Sequence, residues 1–213
     1  MKINILTIFP DFFSTPLKTS ILKRAAAKEI IEFNILNLRD FTSDKHQTTD
    51  QRPFGGGPGM VMMIEPIDKA LQSLGVNKGQ LNKKILLTSA KGSLFTQELA
   101  RNFATLEELT IICGHYEGVD ERVALNLVDG EIRIGDYVLT GGEAAALVIS
   151  DAITRLIPGV LGNEFSNQDE SHSQPGKMGH PQFTKPASYK GWSVPKILLS
   201  GNHADIKNWR DGN

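Results

Sequence analysis

Short apolar runs alternate with stretches of helical spacing along most of this chain, and that alternation constrains the fold more than any other feature. Lys2–Phe9, Glu32–Leu38, Lys84–Thr88, Leu109–Cys113 and Glu131–Ile134 read as strands. Between the first two, Thr15–Lys28 puts Leu17, Ile21, Leu22 and Ala25 on one helical face and Lys18, Lys23 and Arg24 on the other. Glu65–Leu74 opens with Glu65 and Pro66, a favourable N-terminal pair. Thr96–Phe103, Asp120–Leu127 and Ala144–Ile157 complete the helical segments. Strands that alternate with helices pair in parallel, because a helix carries the chain back to the starting edge. The rhythm therefore predicts an α/β fold: a mostly parallel sheet covered by helices on both faces. A chain of 213 residues, 40% hydrophobic, is long enough for one sizeable core of this kind plus a small appendage.

Elsewhere the pattern lapses. Phe41–Met60 is polar and then glycine-rich, and reads as a long loop. From Pro158 to Pro186, Gly, Pro, Ser, Asn and Gln dominate, as in a flexible linker or an active-site lid. Pro195–Arg210 reads as a small helical tail. The expected organisation is a main domain over 1–158, a linker over 159–186 and a small helical domain over 187–213.

Three glycine-bearing turns follow three of the strands: Thr88-Ser89-Ala90-Lys91-Gly92, Cys113-Gly114-His115-Tyr116-Glu117-Gly118, and Ile134–Glu143, which contains Gly135, Gly141 and Gly142. Open α/β sheets bind ligands at the carboxyl ends of their strands. Where side chains are missing, a ligand can lie on the backbone itself. The spacing is not that of the dinucleotide fingerprint, and no Gly-Lys-Ser/Thr follows to form a phosphate loop. An adenosine-like ligand without a triphosphate fits, with Glu117 and Tyr137 placed to meet a ribose or an adenine. Ordinary turn chemistry also selects glycine at such places and is the competing reading. Asp50–Met60 is a fourth glycine-rich segment, stiffened by Pro53 and Pro58. It suits an anion-binding backbone nest beside Arg52, or a rigid packing loop.

The formal net charge is −1, which by itself announces no nucleic-acid partner. The distribution is uneven. Residues 171–213 carry six Lys/Arg against two acids, a balance of +4 that leaves −5 on the remainder. A basic tail on an acidic body is either a nucleic-acid contact or a solvated surface. The single cysteine, Cys113, ends an apolar strand and reads as a small buried hydrophobe. The N-terminus is a strand soon interrupted by Pro10 rather than a signal peptide, and no apolar run is long enough to span a bilayer. The chain reads as soluble and cytoplasmic, with no membrane partner.

Five motifs in order carry a resemblance. They are Arg52–Met60 (RPFGGGPGM), Gly114–Arg122 (GHYEGVDER), Ile134–Glu143 (IGDYVLTGGE), Ile157–Gly162 (IPGVLG) and Leu199–Ala204 (LSGNHA). Together they resemble the bacterial tRNA (guanine-N1)-methyltransferase family, which modifies guanosine 37 beside the anticodon. The resemblance runs from Met1 to about Arg210, and relative to the family the chain ends early, in its C-terminal helical domain. It implies a SPOUT-type fold with a C-terminal trefoil knot, which periodicity does not reveal and which general topology rules disfavour. It further implies S-adenosyl-L-methionine as methyl donor, tRNA as partner, and a homodimer whose tRNA site uses both subunits. Mg2+ is the accompanying ion implied, although no cluster in the sequence has metal-ligand spacing.

Carried over residue by residue, the resemblance assigns donor binding to Leu87, Thr88, Ser89, Gly114, Tyr116, Glu117, Ile134, Gly135, Asp136, Tyr137, Val138, Leu139, Gly141 and Gly142. Gly141 and Gly142 would close the floor of that pocket. His46, Asp50, Arg52, Gly59, Asn202 and His203 fall to the tRNA side, and Lys177, His180 and Lys185 are further candidates there. A linker carboxylate would act as general base on guanine N1–H, and an arginine would stabilise charge on O6. Arg155 matches the arginine. An ungapped count puts the base on Glu170, whereas side-chain type favours Asp169. The chain departs from the family at His115, where Arg is common, and at Ala145, where Pro is common. Two rival readings are a SPOUT enzyme acting on ribosomal RNA or a ribose, and a non-catalytic RNA-binding protein of the same fold.

Overall fold

The computed structural model describes residues 1–162, 170–174 and 176–212. The chain divides into two compact units, Met1–Glu164 and Phe165–Asn213. The first unit runs β1 (Lys2–Thr7), α1 (Ser20–Ala27), β2 (Glu32–Asn37), β3 (Asp50–Gln51), β4 (Val61–Met62), α2 (Ile64–Leu74), β5 (Lys83–Leu94), α3 (Gln97–Ala104), β6 (Glu108–Cys113), α4 (Glu121–Asn126), β7 (Gly130–Arg133) and α5 (Glu143–Thr154). Five strands form one sheet in the order β2-β1-β6-β5-β7, and every neighbouring pair is parallel. The alternation of strand and helix therefore has the consequence expected of it.

Strand side chains alternate between two faces, and the core divides accordingly. Ile3, Ile5, Leu86, Leu109 and Ile111 pack with Ala25 of α1 and with Ile149 and Ile153 of α5. Leu6, Ile85, Leu87 and Ile112 point the other way, onto Ile67, Ala70 and Leu71 of α2 and Val123 of α4. Helices thus cover both faces. Each fully buried Ile or Leu among them contributes about 1.5–3 kcal/mol through loss of apolar surface to water. One buried polar group runs through the sheet. Asn4 Nδ2 donates to Glu108 Oε1 (2.8 Å) and Thr110 Oγ1 (3.1 Å), Asn34 Nδ2 donates to Asn4 Oδ1 (3.1 Å), and Lys83 Nζ lies 2.7 Å from Glu108 Oε2. These partners satisfy side chains whose burial alone would destabilise the sheet.

Local chemistry sets the helix ends. α2 stops at Gly75, whose φ of 64° is left-handed and suits a residue without a Cβ. The Asp120 side chain caps α4 by accepting from Arg122 N at 3.0 Å, and Thr96 caps α3 by accepting from Leu99 N at 3.3 Å. α1 starts five residues later than the apolar spacing predicts. Pro16–Lys18 forms a short 3-10 turn instead, and Thr19 is extended (φ −118°, ψ 145°), which breaks the helical run before Ser20.

Two departures from the expected elements bear on the site. Thr88–Gly92 is not a turn: β5 continues to Leu94, and its pairing with β7 shifts register between Thr88 and Ser93. Ser-Ala-Lys-Gly has low strand preference, so composition hid the continuation. The expected loop Phe41–Met60 contains β3, whose antiparallel pairing with β4 clasps the glycine-rich segment between them.

The second unit contains a two-stranded hairpin, β8 (Ser188–Tyr189) and β9 (Trp192–Ser193), a 3-10 turn at Lys196–Leu199, and α6 (His203–Asp211). The helical tail read from the sequence is therefore two helical pieces preceded by a hairpin. The Asn202 side chain caps α6 through Ala204 N (3.1 Å) and Asp205 N (3.4 Å). Among the described residues no helix is long and apolar enough to cross a membrane.

Candidate active site

Past the carboxyl end of β6, beside the register shift between β5 and β7, the first unit holds a cavity of about 450 Å³. Three segments wall it: Leu87–Lys91 within β5, Gly114–Val119 after β6, and Glu131–Gly142 without Asp136, from the end of β7 to the start of α5. The volume is that of a site for a small organic ligand.

The walls hold together through backbone and buried hydroxyl contacts. Gly142 N donates to Gly114 O (2.7 Å), and Gly114 N donates to Thr88 Oγ1 (3.0 Å). Thr88 Oγ1 in turn donates to Ile112 O (3.1 Å), so one buried hydroxyl ties β5 to β6 and to the turn after it. The glycines serve this packing. A Cβ on Gly142 would overlap Thr88 Oγ1, one on Gly141 would overlap His115 and Glu143, and one on Gly92 would overlap the Ile132 backbone nitrogen. A Cβ on Gly114 would stand 2.8 Å from Thr88 O. Their missing side chains thus let neighbouring segments touch.

Behind the wall lies a buried carboxylate. Glu143, at the first position of α5, is 4% exposed and accepts from Thr7 Oγ1 at 2.7 Å. Its other oxygen is 4.0 Å from His115 Nε2, while His115 Nδ1 is buried without a hydrogen-bond partner. The His115 ring sits between Phe9 and Tyr116, each at 5.0 Å between centroids. A helix N-terminus favours negative charge at Glu143.

Charges at the cavity are mostly paired. Lys91 Nζ meets Glu121 Oε2 at 2.6 Å and Glu131 Oε2 at 3.8 Å. The Glu121 hydrogen bond raises the Lys91 pKa; burial opposes it and the Glu131 charge adds to the rise. Arg133 pairs with Asp136 at 2.8 Å and also donates to Gly92 O. Glu117, Glu121 and Glu131 line the cavity against Lys91 and Arg133, so its lining carries a slight excess of acid. A polyphosphate suits such walls poorly, and a ligand bearing positive charge suits them well.

Of the residues expected to bind a donor, Leu87, Thr88, Ser89, Gly114, Tyr116, Glu117, Ile134, Gly135, Tyr137, Val138, Leu139, Gly141 and Gly142 line this cavity. Asp136 does not, being engaged with Arg133. Lys91 and His115, which belong to the glycine-bearing turns, also line it; Glu121, Glu131 and Arg133 among the lining residues, and the Thr7–Glu143 pair behind them, are not among the residues expected from the sequence.

The expected tRNA-side residues fall in both units. Gly59 (φ 76°) belongs to the β3–β4 clasp, where a Cβ would overlap the Glu117 side chain. Glu117 N donates to Met60 O (3.1 Å), so the clasp lies directly against the cavity wall. Asp50 is in β3, and Arg52 and His46 are exposed on the same segment. Asn202 and His203 are the cap and first residue of α6 in the second unit. Arg155 follows the last turn of α5 in the first unit, with its N–H donating to Asp151 O at 3.2 Å. Glu170 belongs to the second unit, and Asp169 lies outside the described residues.

A parallel α/β sheet with a glycine-tied cavity over its carboxyl edge defines a ligand-binding fold of the kind enzymes use for small cofactors. Within that class, a family model described as tRNA (guanine-1)-methyltransferase TrmD matches residues 1–213, and the chain belongs to that family. Curated relatives are similar along nearly all of it. The tRNA (guanine-N(1)-)-methyltransferase of Carboxydothermus hydrogenoformans is 52% identical over 210 residues, covering 99% of this chain and 81% of the relative. Those of Staphylococcus carnosus (50% over 210 residues, 99% and 84% covered) and Ruminiclostridium cellulolyticum (48% over 211 residues, 99% and 89% covered) bear the same name.

Proposed function

We propose that this chain is a methyltransferase that takes a methyl group from S-adenosyl-L-methionine and places it on N1 of guanosine 37 in tRNA. The observation that carries this reading is the glycine-tied cavity, met by family membership over the whole chain. Its lining agrees with the donor in size and in charge. S-adenosylmethionine, with a sulfonium, an ammonium and one carboxylate, is a net cation, and the lining acids outnumber the lining bases by one. When bound, the donor supplies a methyl group that is already electrophilic.

The chain's own residues then have to position the acceptor and manage one proton. Guanine N1 carries a hydrogen, so a carboxylate of the segment after α5, Asp169 or Glu170, accepts it. The guanidinium of Arg155 stabilises the negative charge that develops on O6. Gly114, Ile134, Gly135, Tyr137, Val138 and Leu139 would hold the donor's adenine and ribose mostly by backbone groups. The clasp carrying Asp50, Arg52 and Gly59, together with His46, forms the tRNA side near Glu117, and Asn202 and His203 add contacts from the second unit. The same reading includes a trefoil knot in the C-terminal part of the first unit and a homodimer in which both subunits complete the tRNA site. It also includes the division 1–158, 159–186 and 187–213 and a soluble, cytoplasmic enzyme. Magnesium is an accompanying ion in this reading; among the described residues no group of three His, Cys, Asp or Glu is placed to hold a metal.

The test is methyl transfer from labelled S-adenosylmethionine to tRNA transcripts carrying G36-G37, with a G37→A transcript alongside. Incorporation that disappears in the G37→A transcript supports the reading. Equal incorporation into both, or none despite donor binding, overturns it.

A further inference from the structure

The second unit presents an aromatic pair that its own packing does not use. Trp209 of α6 is occupied internally, with its ring 6.4 Å from His180 and 6.3 Å from Phe183. Tyr189 and Trp192 instead stand 55% and 72% exposed on the β8–β9 hairpin. They are directly opposite in the register, with centroids 6.1 Å apart, so both rings occupy one face. The two-residue turn between them, Lys190-Gly191, has φ values of 52° and 84°. Left-handed geometry at both positions is what a tight type I′ hairpin requires, and it fixes how the pair is presented. Val194 N donating to Ala187 O (2.9 Å) extends the hairpin pairing by another step. Lys190 Nζ rests 5.4 Å from the centre of the Tyr189 ring.

We propose that the Tyr189–Trp192 hairpin is a stacking platform for an unpaired nucleobase of the tRNA. Trp192, the more exposed ring, offers the π face; Tyr189 braces it from the opposite strand; Lys190 meets the adjoining phosphate. Charge favours this occupant: residues 171–213 carry six basic side chains against two acids. Exposed aromatics interleaved with cations are the pattern by which proteins hold single-stranded nucleotides, since every base has a face to stack. An apolar protein partner would have no need of Lys190 beside the rings. The proposal rests on the reading of tRNA as substrate and adds to it a place and a mode of contact.

Full-chain protein and a tRNA transcript decide it. Affinity is measured from about 50 to about 200 mM salt for the wild type, Trp192→Leu, Trp192→Phe and Lys190→Gln. Trp192→Leu keeps apolar bulk and loses the π face, and should weaken binding on the order of 10-fold with the salt slope unchanged. Trp192→Phe should stay near the wild type. Lys190→Gln should lower the slope of log affinity against log salt by about one. Near-ultraviolet circular dichroism and thermal unfolding of each full-chain variant check that the second unit has folded, and calorimetry with S-adenosylmethionine reports separately on the first. Should a Trp192 variant fail that check, Tyr189→Leu against Tyr189→Phe asks the same question of the same hairpin. If the Leu variants bind tRNA as tightly as the Phe variants, the platform is overturned while the substrate reading stands. If the wild type binds no tRNA, the substrate reading itself fails and the platform with it.

Discussion

Gly142 and Gly114 lie 28 residues apart in sequence and are joined by a 2.7 Å hydrogen bond from the Gly142 N–H to the Gly114 carbonyl. That bond closes the cavity wall, and it exists because neither residue has a side chain to hold the segments apart. A Cβ at Gly142 would overlap Thr88 Oγ1 and come within 2.9 Å of Gly114 N. Gly142→Ala should therefore lower stability by about 1–3 kcal/mol, the usual result of overpacking, and weaken donor binding at least tenfold. Thermal unfolding and calorimetry with S-adenosylmethionine measure the two effects. A variant that binds donor normally would show that the wall can relax.

Thr88 has a complementary role. Its hydroxyl both accepts from Gly114 N and donates to Ile112 O, so Thr88→Val removes a partner from the half-buried Gly114 N–H and from the buried Ile112 carbonyl. The expected cost is about 1–3 kcal/mol, with Thr88→Ser largely restoring stability. Denaturant unfolding of the two variants separates loss of the hydroxyl from loss of shape.

Cys113 should be chemically silent in the native protein. Burial first, and the nearby Glu143 carboxylate second, push its thiol pKa well above the ordinary value. The thiolate is the reactive form, so a thiol reagent at pH 8 should label Cys113 only once denaturant is added. Rapid labelling of folded protein would contradict the buried placement.

Glu108 gives stability an acid limb. Burial alone raises its pKa, but hydrogen bonds from Lys83 and Asn4 and the Lys83 charge outweigh that, and the net shift is downward. A carboxyl whose pKa is lower in the folded than in the unfolded chain stabilises fully above the unfolded value. That contribution is lost as pH falls through the folded one. Glu108→Gln should thus flatten the fall in melting temperature below about pH 4.5, the region of the unfolded carboxyl. An unchanged acid limb would place the effect on other groups.

The proposed proton acceptor is tested by amide substitution. Asp169→Asn and Glu170→Gln should differ, one losing about 100-fold or more in kcat and the other little. Arg155→Ala should lower kcat with donor binding intact. Equal, mild losses from both amides would remove the base from this segment.

The sheet was legible because its signals are local. Ile3, Ile5, Leu109 and Ile111 announce buried strands wherever they fall, and the order of strands and helices implies parallel pairing. The extension of β5 was not legible, because Ser89–Gly92 fall in the register shift between Thr88 and Ser93, which both pair with Ile132 of β7, and their own composition has little strand preference. Thr7 and Glu143 were missed for a related reason: a threonine in an apolar strand and an acid opening a helix become one hydrogen-bonded pair only after folding. The cavity-lining glycines were readable as to place, but their function in tying segments together depends on neighbours the sequence does not name.

The strand order also governs how this protein can assemble in time. β6 lies between β1 and β5, and Asn4 meets Thr110 across a separation of 106 residues. The most central strand is thus among the later ones to leave the ribosome, and β1 waits with one side unpaired until it arrives. Long-range parallel pairing of this sort folds slowly, since a large loop must close before any contact rewards it. During synthesis the nascent chain therefore passes through a stage in which β1 and β2 present an open apolar edge, and that stage is the one most exposed to misassociation.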